Sequence, residues 1–307
     1  MSVAVGVVGC GRAHPPGRLT NAELETRIDT TDTWIRDRTG ITSRWIGGTT
    51  TGLATEAARQ ALDDAGLTID AIGLIVVATS TPDQPIPAAA ALVARELGSD
   101  AGTMDVNGAC AGFVYAYVSA ASWVSLTGRP ALVIGVDVLS RIVDPGDRGT
   151  VILFGDGAGA VVMAPSGDGP ELLSVHSGSD ATAVAILECR AGGFLHMDGQ
   201  AVFKLAVRAA MASIEEALTA AGLGHDDIDL FVPHQANERI TAAIAKRLSL
   251  DPSRVVSTIA ETGNASAATI PYALSVAGDE GRLHPGDVVV LCGFGAGMTW
   301  ATAVLRW

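Results

Sequence analysis

The chain repeats itself. The stretch Ala61-Leu62-Asp-Asp-Ala65-Gly66-Leu67-Thr-Ile-Asp70-Ala-Ile72-Gly-Leu74-Ile-Val76 lies over Ala217-Leu218-Thr-Ala-Ala221-Gly222-Leu223-Gly-His-Asp226-Asp-Ile228-Asp-Leu230-Phe-Val232 at an offset of 156 residues. Each copy reads as the end of a helix, a glycine stop and a buried strand. Carried downstream, the same offset sets Val133-Ile134 opposite Val289-Val290, and Gly108-Ala-Cys110-Ala opposite Asn264-Ala-Ser266-Ala. A fixed register over so long a span points to duplication. The chain therefore reads as two similar α/β halves, 1–167 and 168–307, joined near Ala164-Pro-Ser-Gly-Asp-Gly-Pro170. Two apolar helices in the middle, one from each half, would bring the Cys110 turn and the Asn264 turn into one site.

The first of those turns carries a thiol. Asn107-Gly108-Ala109 leads to Cys110, and from Phe113 to Leu126 no Gly, Pro or charge interrupts an apolar run. A helix apolar on every side is normally buried. Cys110 would sit at its N-terminus, where the positive end of the helix dipole favours thiolate. The plainer reading is that Cys110 is a small buried hydrophobe, since free cysteine is among the most buried residue types. The segment alone does not decide between them.

Charge and composition exclude several classes. A net charge of −13 argues against nonspecific nucleic-acid binding. Cys10, Cys110, Cys189 and Cys292 have neither metal-ligand spacing nor disulfide-framework density. No signal peptide opens the chain, and the only long uncharged apolar run is the Ala-rich buried helix, so a cytoplasmic protein with no membrane partner is expected. Gly6, Gly9 and Gly11 stand in the order G-x-x-G-x-G, and His14-Pro15-Pro16 blocks a following helix, so the start reads as a buried strand and a turn, without the dinucleotide fingerprint.

Later segments add polar groups at strand ends. Asp229-Leu-Phe-Val232 reads as a strand ending in Pro233-His234-Gln235, with a helix from Glu238. A histidine at the carboxyl end of a buried strand is where open α/β sheets place functional groups, although it also closes strands as a satisfied structural residue. Gly263-Asn264 is read either as a functional turn or as one chosen for unusual backbone angles. Val143 to Thr150 reads as a polar loop, and Gly293-Phe294-Gly295-Ala296-Gly297 as a glycine-rich loop after the last buried strand.

Taken together, these residues carry a resemblance. Asn107-Gly-Ala-Cys110-Ala-Gly-Phe, Val232-Pro-His234-Gln-Ala-Asn-Glu-Arg-Ile, Glu261-Thr-Gly-Asn264-Ala-Ser-Ala-Ala and Gly293-Phe-Gly-Ala-Gly-Met-Thr-Trp300 look like the four signatures of β-ketoacyl-acyl-carrier-protein synthase III. Trp34-Ile-Arg-Asp-Arg38-Thr-Gly-Ile, Asp147-Arg148-Gly-Thr and Phe154-Gly-Asp-Gly-Ala-Gly-Ala160 match it too, in order and nearly end to end. The resemblance implies a thiolase-like fold with layers α-β-α-β-α, two pseudo-symmetric halves and a homodimer. It implies catalysis by Cys110, His234 and Asn264, with an oxyanion hole from the backbone N–H groups of Cys110 and Gly297. Trp34, Arg38 and Arg148 would bind CoA, and Ile86 would reach the acyl pocket of the partner subunit. No metal or cofactor is implied, because acyl-CoA is a substrate. The second substrate would ride on an acyl-carrier protein, an acidic partner for which Lys204, Arg208, Arg239, Lys246 and Arg247 form a candidate face; the chain's only two lysines fall there.

The expected reaction is decarboxylative condensation of a short acyl-CoA primer with malonyl-acyl-carrier protein. The stretch between Ser174 and Phe203 is shorter than the family's, which leaves the mouth of the acyl pocket open to change. An acyltransferase that passes the acyl group to a hydroxyl or amine without decarboxylation is the main rival. A thiolase would use a second cysteine in the last glycine loop, and Cys292 lies on the strand side of Gly293. A non-catalytic scaffold would not need Cys110, His234 and Asn264 together.

Overall fold

The computed structural model describes residues 4–167 and 169–307; Val3 and the linker residue Asp168 lie outside them. Two large sheets organise the described residues, beside two small two-stranded ones. The first contains β1 (Val5–Ala13), β2 (Leu74–Ala78), β3 (Gly102–Val106), β4 (Ala131–Val138) and β5 (Asp156–Pro165), in the order β1-β5-β4-β2-β3. The second contains β6 (Glu171–Ser179), β7 (Leu230–Pro233), β8 (Val288–Gly295) and β9 (Thr299–Arg306), in the order β7-β8-β9-β6. Read from its other edge, the second sheet repeats the first without a partner for β3. The pattern of pairing also matches, parallel for β2/β4 and β7/β8 and antiparallel for β1/β5, β5/β4, β6/β9 and β9/β8; the extra pair β2/β3 is parallel.

Helices fill three layers around these sheets. The principal ones are α1 (Thr50–Ala65), α2 (Ala89–Leu97), α3 (Gly112–Thr127), α4 (Gly199–Ala221), α5 (Glu238–Arg247) and α6 (Thr269–Asp279). Helices α1 and α2 cover the outer face of the first sheet, and α4 and α5 that of the second. Between the sheets lie α3 and α6, packed against both through Phe113, Tyr117, Ile270 and Leu274. The result is the five-layer α-β-α-β-α arrangement expected from the sequence. Helix α3 is the long apolar run; together with the turn before it, Ala109–Thr127 is long and apolar enough to span a membrane, and it is the core helix of this fold.

The repeated Ala-Gly-Leu is a helix stop. Gly66 and Gly222 adopt the left-handed φ of +64° and +70° after α1 and α4. The next residue closes each end, with the Leu67 N–H donating to the Leu62 carbonyl at 3.0 Å and the Leu223 N–H to the Leu218 carbonyl at 2.9 Å. This is the Schellman pattern, in which glycine avoids the Cβ penalty of the left-handed region.

The register between the halves is not constant. Leu74 pairs with Ala131, whereas its counterpart Leu230 pairs with Val289, so the offset of 156 has grown to 158 at the central strands. Val133 therefore stands opposite Leu291 rather than Val289. At the turns the offset is 157. The Asn107 side chain accepts from the Ala109 N–H as the Asn264 side chain accepts from the Ser266 N–H, and Ala109 and Ser266 share left-handed φ values of +46° and +49°. Asn107, not Gly108, is the counterpart of Asn264. One-residue insertions are invisible when identical residues are few.

Two glycine readings also change. Strand β1 runs on through Gly9 and Gly11 to Ala13 instead of turning, because these positions let α1 lie directly on the strand. A Cβ at Gly9 would stand 2.5 Å from both the Ala61 carbonyl oxygen and the Ala65 nitrogen. Gly9→Val is expected to cost about 3 kcal/mol or more by chemical denaturation, through forced separation of helix and strand. Gly293 to Gly295 likewise belong to β8, and a further strand, β9, follows; the loop is confined to Ala296–Met298. The polar loop after Val143 ends in a short helical turn, Arg148–Val151, capped by the Asp147 carboxylate.

Candidate active site

Cys110 lies in the single turn that joins β3 to α3, 7 % exposed. Strand β8 passes so close that a Cβ on Gly295 would be 2.8 Å from both the Cys110 nitrogen and its Cβ, and one on Gly293 would be 2.9 Å from the Ala111 Cα. Only glycine permits this approach. Burial pushes the thiol up to about 12, opposed by a hydrogen bond from the Ser266 hydroxyl and reinforced by the nearby Asp137 carboxylate. Burial thus favours the thiol, in opposition to the helix end that the sequence suggested.

His234 ends β7. It is 1 % exposed, its backbone N–H donates to the Cys292 carbonyl at 2.8 Å, and its ring meets the Phe294 ring edge-on at 5.3 Å between centroids. The Nδ1 atom lies 2.7 Å from the Thr269 hydroxyl. Burial lowers its pKa to about 3, so the ring is neutral. The neighbouring Gln235 fixes the strand end, donating to the carbonyls of Pro233 and Val256 and accepting from the Thr258 N–H.

Asn264 is placed by a backbone bridge between Phe154 and Asn264, with the Asn264 N–H donating to the Leu153 carbonyl at 2.8 Å and the Gly155 N–H donating to the Asn264 carbonyl at 3.0 Å. Its Oδ1 accepts from the Ser266 N–H at 2.9 Å. That spends Oδ1 on the turn, so the amide group that Asn264 can offer to the narrow cavity it lines is Nδ2–H.

Cys110 stands at the junction of two cavities. A narrow one of about 90 Å³ is lined by Cys110, His234, Asn264, Phe203, Phe294 and Met298, so the three sequence-predicted catalytic residues meet there. A wider one, about 540 Å³, is lined by Cys110, Leu139, Ile142, Phe154 and the segment 187–195. Part of the stretch between Ser174 and Phe203 thus lines the larger chamber. Gly297 sits in the β8–β9 turn, next to Ala296 on the wall of that chamber.

The remaining predicted residues form two outer groups. Trp34 is half-buried, with the Arg148 guanidinium 4.9 Å and the Arg38 guanidinium 5.4 Å from its ring. The Asn237 amide, at the cap of α5, donates to the Arg38 carbonyl at 3.1 Å and ties this group to the His234 strand end. Lys204, Arg208, Arg239, Lys246 and Arg247 are all exposed on α4 and α5. Lys204 and Arg239 adjoin Phe203 and Ile240, which line the narrow cavity. Ile86 is 86 % exposed and lines neither chamber of its own chain.

Sequence reasoning missed Thr269 and Asp137. Asp137 is fully buried in β4, where it accepts from the N–H groups of Ser80 and Ala267 and from the hydroxyls of Thr79 and Thr81. Burial raises its pKa, against the pull of those donors. The only sequence signal was an acidic residue inside an otherwise apolar strand.

A pH dependence follows from His234. The unfolded ring takes a proton below about 6.5, whereas the folded ring stays neutral down to about 3. Between those values the unfolded state binds more protons, so stability is full above the upper one and is lost as pH falls toward the lower. His234→Asn is expected to lose about 2 kcal/mol less stability than the wild type between pH 7.5 and pH 5, measured by denaturant titration at each pH.

The chain matches known proteins along its length. Residues 104–181 fit the family model of 3-oxoacyl-[acyl-carrier-protein (ACP)] synthase III, and residues 218–307 that of its C-terminal part. A Geobacillus kaustophilus β-ketoacyl-[acyl-carrier-protein] synthase III is 44% identical over 311 residues, covering 99% of each chain. The crystal structure of the Aquifex aeolicus 3-oxoacyl-[acyl-carrier-protein] synthase III superposes with a TM-score of 0.97 at 39% identity, over 99% of this chain and 100% of that one. The priming β-ketosynthase of the R1128 polyketide pathway superposes at 0.93 with 37% identity, over 99% and 97% of the two chains.

Proposed function

Because this chain belongs to the 3-oxoacyl-[acyl-carrier-protein] synthase III family, with its thiolase-like fold, we propose that it condenses a short acyl-CoA primer with malonyl-acyl-carrier protein and so initiates fatty-acid or polyketide chains. The observation that carries this reading is the thiol at the junction of two chambers, with His234 and Asn264 beside it in the narrower one.

In the first half-reaction the Cys110 sulfur attacks the acyl-CoA thioester. The new thioester forms on Cys110, the bond to CoA breaks, and the thiol proton passes to the departing CoA sulfur. The acyl chain enters the wide chamber and the pantetheine arm the narrow one. In the second, malonyl-acyl-carrier protein takes the narrow chamber, with its thioester oxygen between Asn264 Nδ2–H and His234 Nε2–H. These donors stabilise the enolate as carbon dioxide leaves. The enolate carbon attacks the Cys110 thioester, whose oxyanion is held by the backbone N–H groups of Cys110 and Gly297. Cys110 then departs as the leaving thiolate and takes a proton from solvent to restore the thiol.

Trp34, Arg38 and Arg148 are assigned to the adenine of CoA, where a flat base stacks between indole and guanidinium. Trp34→Ala is expected to raise KM for acyl-CoA roughly tenfold and to leave kcat with a truncated acyl-pantetheine unchanged. The basic face on α4 and α5 is assigned to the carrier protein. A second copy of the chain supplies Ile86 to the wide chamber. Buried, unpaired thiols at Cys110 and Cys292 fit a reducing, cytoplasmic setting.

Intact-protein mass after incubation with short acyl-CoAs tests the reading. A gain on Cys110 that malonyl-acyl-carrier protein discharges as a β-ketoacyl-carrier product is the expected result. A gain that only a hydroxyl or amine acceptor discharges would replace it with acyl transfer, and no gain with any primer would sink both.

A further inference from the structure

We propose that Thr269 is the positioning residue that keeps the proton of His234 on Nε2, by donating its own hydroxyl hydrogen to Nδ1. The inference rests on the condensing reading and adds the residue that prepares His234 for it.

A neutral imidazole carries one N–H and one acceptor nitrogen, and the partner of one nitrogen decides the state of the other. His234 is buried at the end of β7, and the Nδ1 partner is the Thr269 hydroxyl, at 2.7 Å. That hydroxyl has one hydrogen and two acceptors in reach, Nδ1 and the Ser266 carbonyl at 3.0 Å. The Ser266 carbonyl is already served, because the Thr269 backbone N–H closes the turn onto it. The Gln235 N–H meanwhile points at the Thr269 oxygen from 3.3 Å and fills one of its lone pairs. Thr269 is thus supplied with a donor and keeps its hydrogen for the nearer acceptor, which nothing else serves.

Among the described residues no carboxylate competes for that nitrogen. Asp156 lines a small void together with Thr269, but its oxygens are taken by the Ser140 N–H and hydroxyl and by the Gly47 N–H. A charged ring, which would donate from both nitrogens, is disfavoured by the same burial that keeps His234 neutral. The Ser266 turn that fixes Thr269 also holds Asn264 Oδ1. One short segment therefore aims both donors, Asn264 Nδ2–H and His234 Nε2–H, into the narrow chamber. Two convergent donors make an oxyanion site; a donor beside an unprotonated nitrogen does not.

The direct test is ¹⁵N NMR of the full-length protein labelled at histidine, with His234 assigned from its loss in His234→Gln. A pyrrole-type Nε2 and a pyridine-type Nδ1 support the proposal, and the reverse pattern overturns it whatever the activity. The kinetic test separates the half-reactions. Thr269→Val in a Cys110→Ala background is expected to slow carbon dioxide release from malonyl-acyl-carrier protein roughly tenfold relative to Cys110→Ala alone, while with Cys110 intact it changes Cys110 acylation by less than about threefold. Thr269→Ser, which keeps the hydroxyl, should restore release to within about threefold. Equal losses in both half-reactions, or failure of serine to rescue, would mean Thr269 is merely structural. If Cys110→Ala with Thr269 intact releases no carbon dioxide, the condensing reading itself fails, and the NMR pattern still judges Thr269.

Discussion

Asn264→Ala is expected to cut carbon dioxide release from malonyl-acyl-carrier protein by about 10²–10³, the typical loss for one oxyanion donor, with Cys110 acylation little changed. The asymmetry follows from where the amide points. Oδ1 is spent on the Ser266 N–H, so only Nδ2 is available to substrate, and its hydrogen matters once charge gathers on the thioester oxygen. Alanine also removes the acceptor for that N–H, so a fall in rate could be blamed on a disturbed turn. Asn264→Asp answers this, because the carboxylate still accepts from Ser266 but offers no donor and adds a negative charge beside the forming enolate. A slow, well-folded Asn264→Asp supports the assignment. Wild-type release of carbon dioxide by that variant would sink it. The measurement is trapped ¹⁴CO₂ set beside acyl-enzyme formation by intact mass.

Cys110→Ala is expected to abolish the acyl-enzyme and lower condensation by at least about 10⁴, the scale on which a lost nucleophile is felt. Decarboxylation of malonyl-acyl-carrier protein should persist, because His234 and Asn264 stand in the narrow chamber independently of the sulfur. Cys110→Ser separates position from reactivity: the oxygen fits the same turn but, in a site this dry, is the poorer nucleophile. Iodoacetamide provides the complementary probe. The thiol is pushed up to about 12, so alkylation of the free enzyme should rise steadily with pH through the alkaline range, without a plateau near neutrality. A plateau near pH 7 would mean that the helix end, and not burial, governs the sulfur.

Much of this molecule was legible in the order of its residues. Ala-Gly-Leu, written twice, marks two helices stopped in the same way, and that was enough to find the duplication. The uncharged run after Cys110 announced a helix with no outer face, and the structure puts it between the sheets. His234 and Asn264 drew notice through local features, a strand end and a Gly-Asn turn, but each had a structural reading as well, and their role came from the family resemblance. What escaped depends on distant partners. The meaning of Thr269 lies in a ring 35 residues away. The glycines of β1 looked like a turn because the helix lying on them, α1, is about fifty residues on. The surroundings of the thiol were hidden for the same reason. A helix end is visible in sequence, but the number of groups that exclude water from it is not.

The slip in register between the halves has one more consequence. Matched through their pairing, Gly293 corresponds to Gly135 and Gly295 to Asp137, so the strand facing Cys110 is bare where its twin carries a carboxylate. The twin of Cys110 is Ala267, whose N–H donates to that carboxylate at 3.2 Å. A sulfur in the second half would open onto a fixed anion, and no room would remain for an acyl group. The doubled architecture is therefore chemically one-sided: one copy of the turn is left empty for chemistry, and the other is filled and fastened so that it holds the first in place.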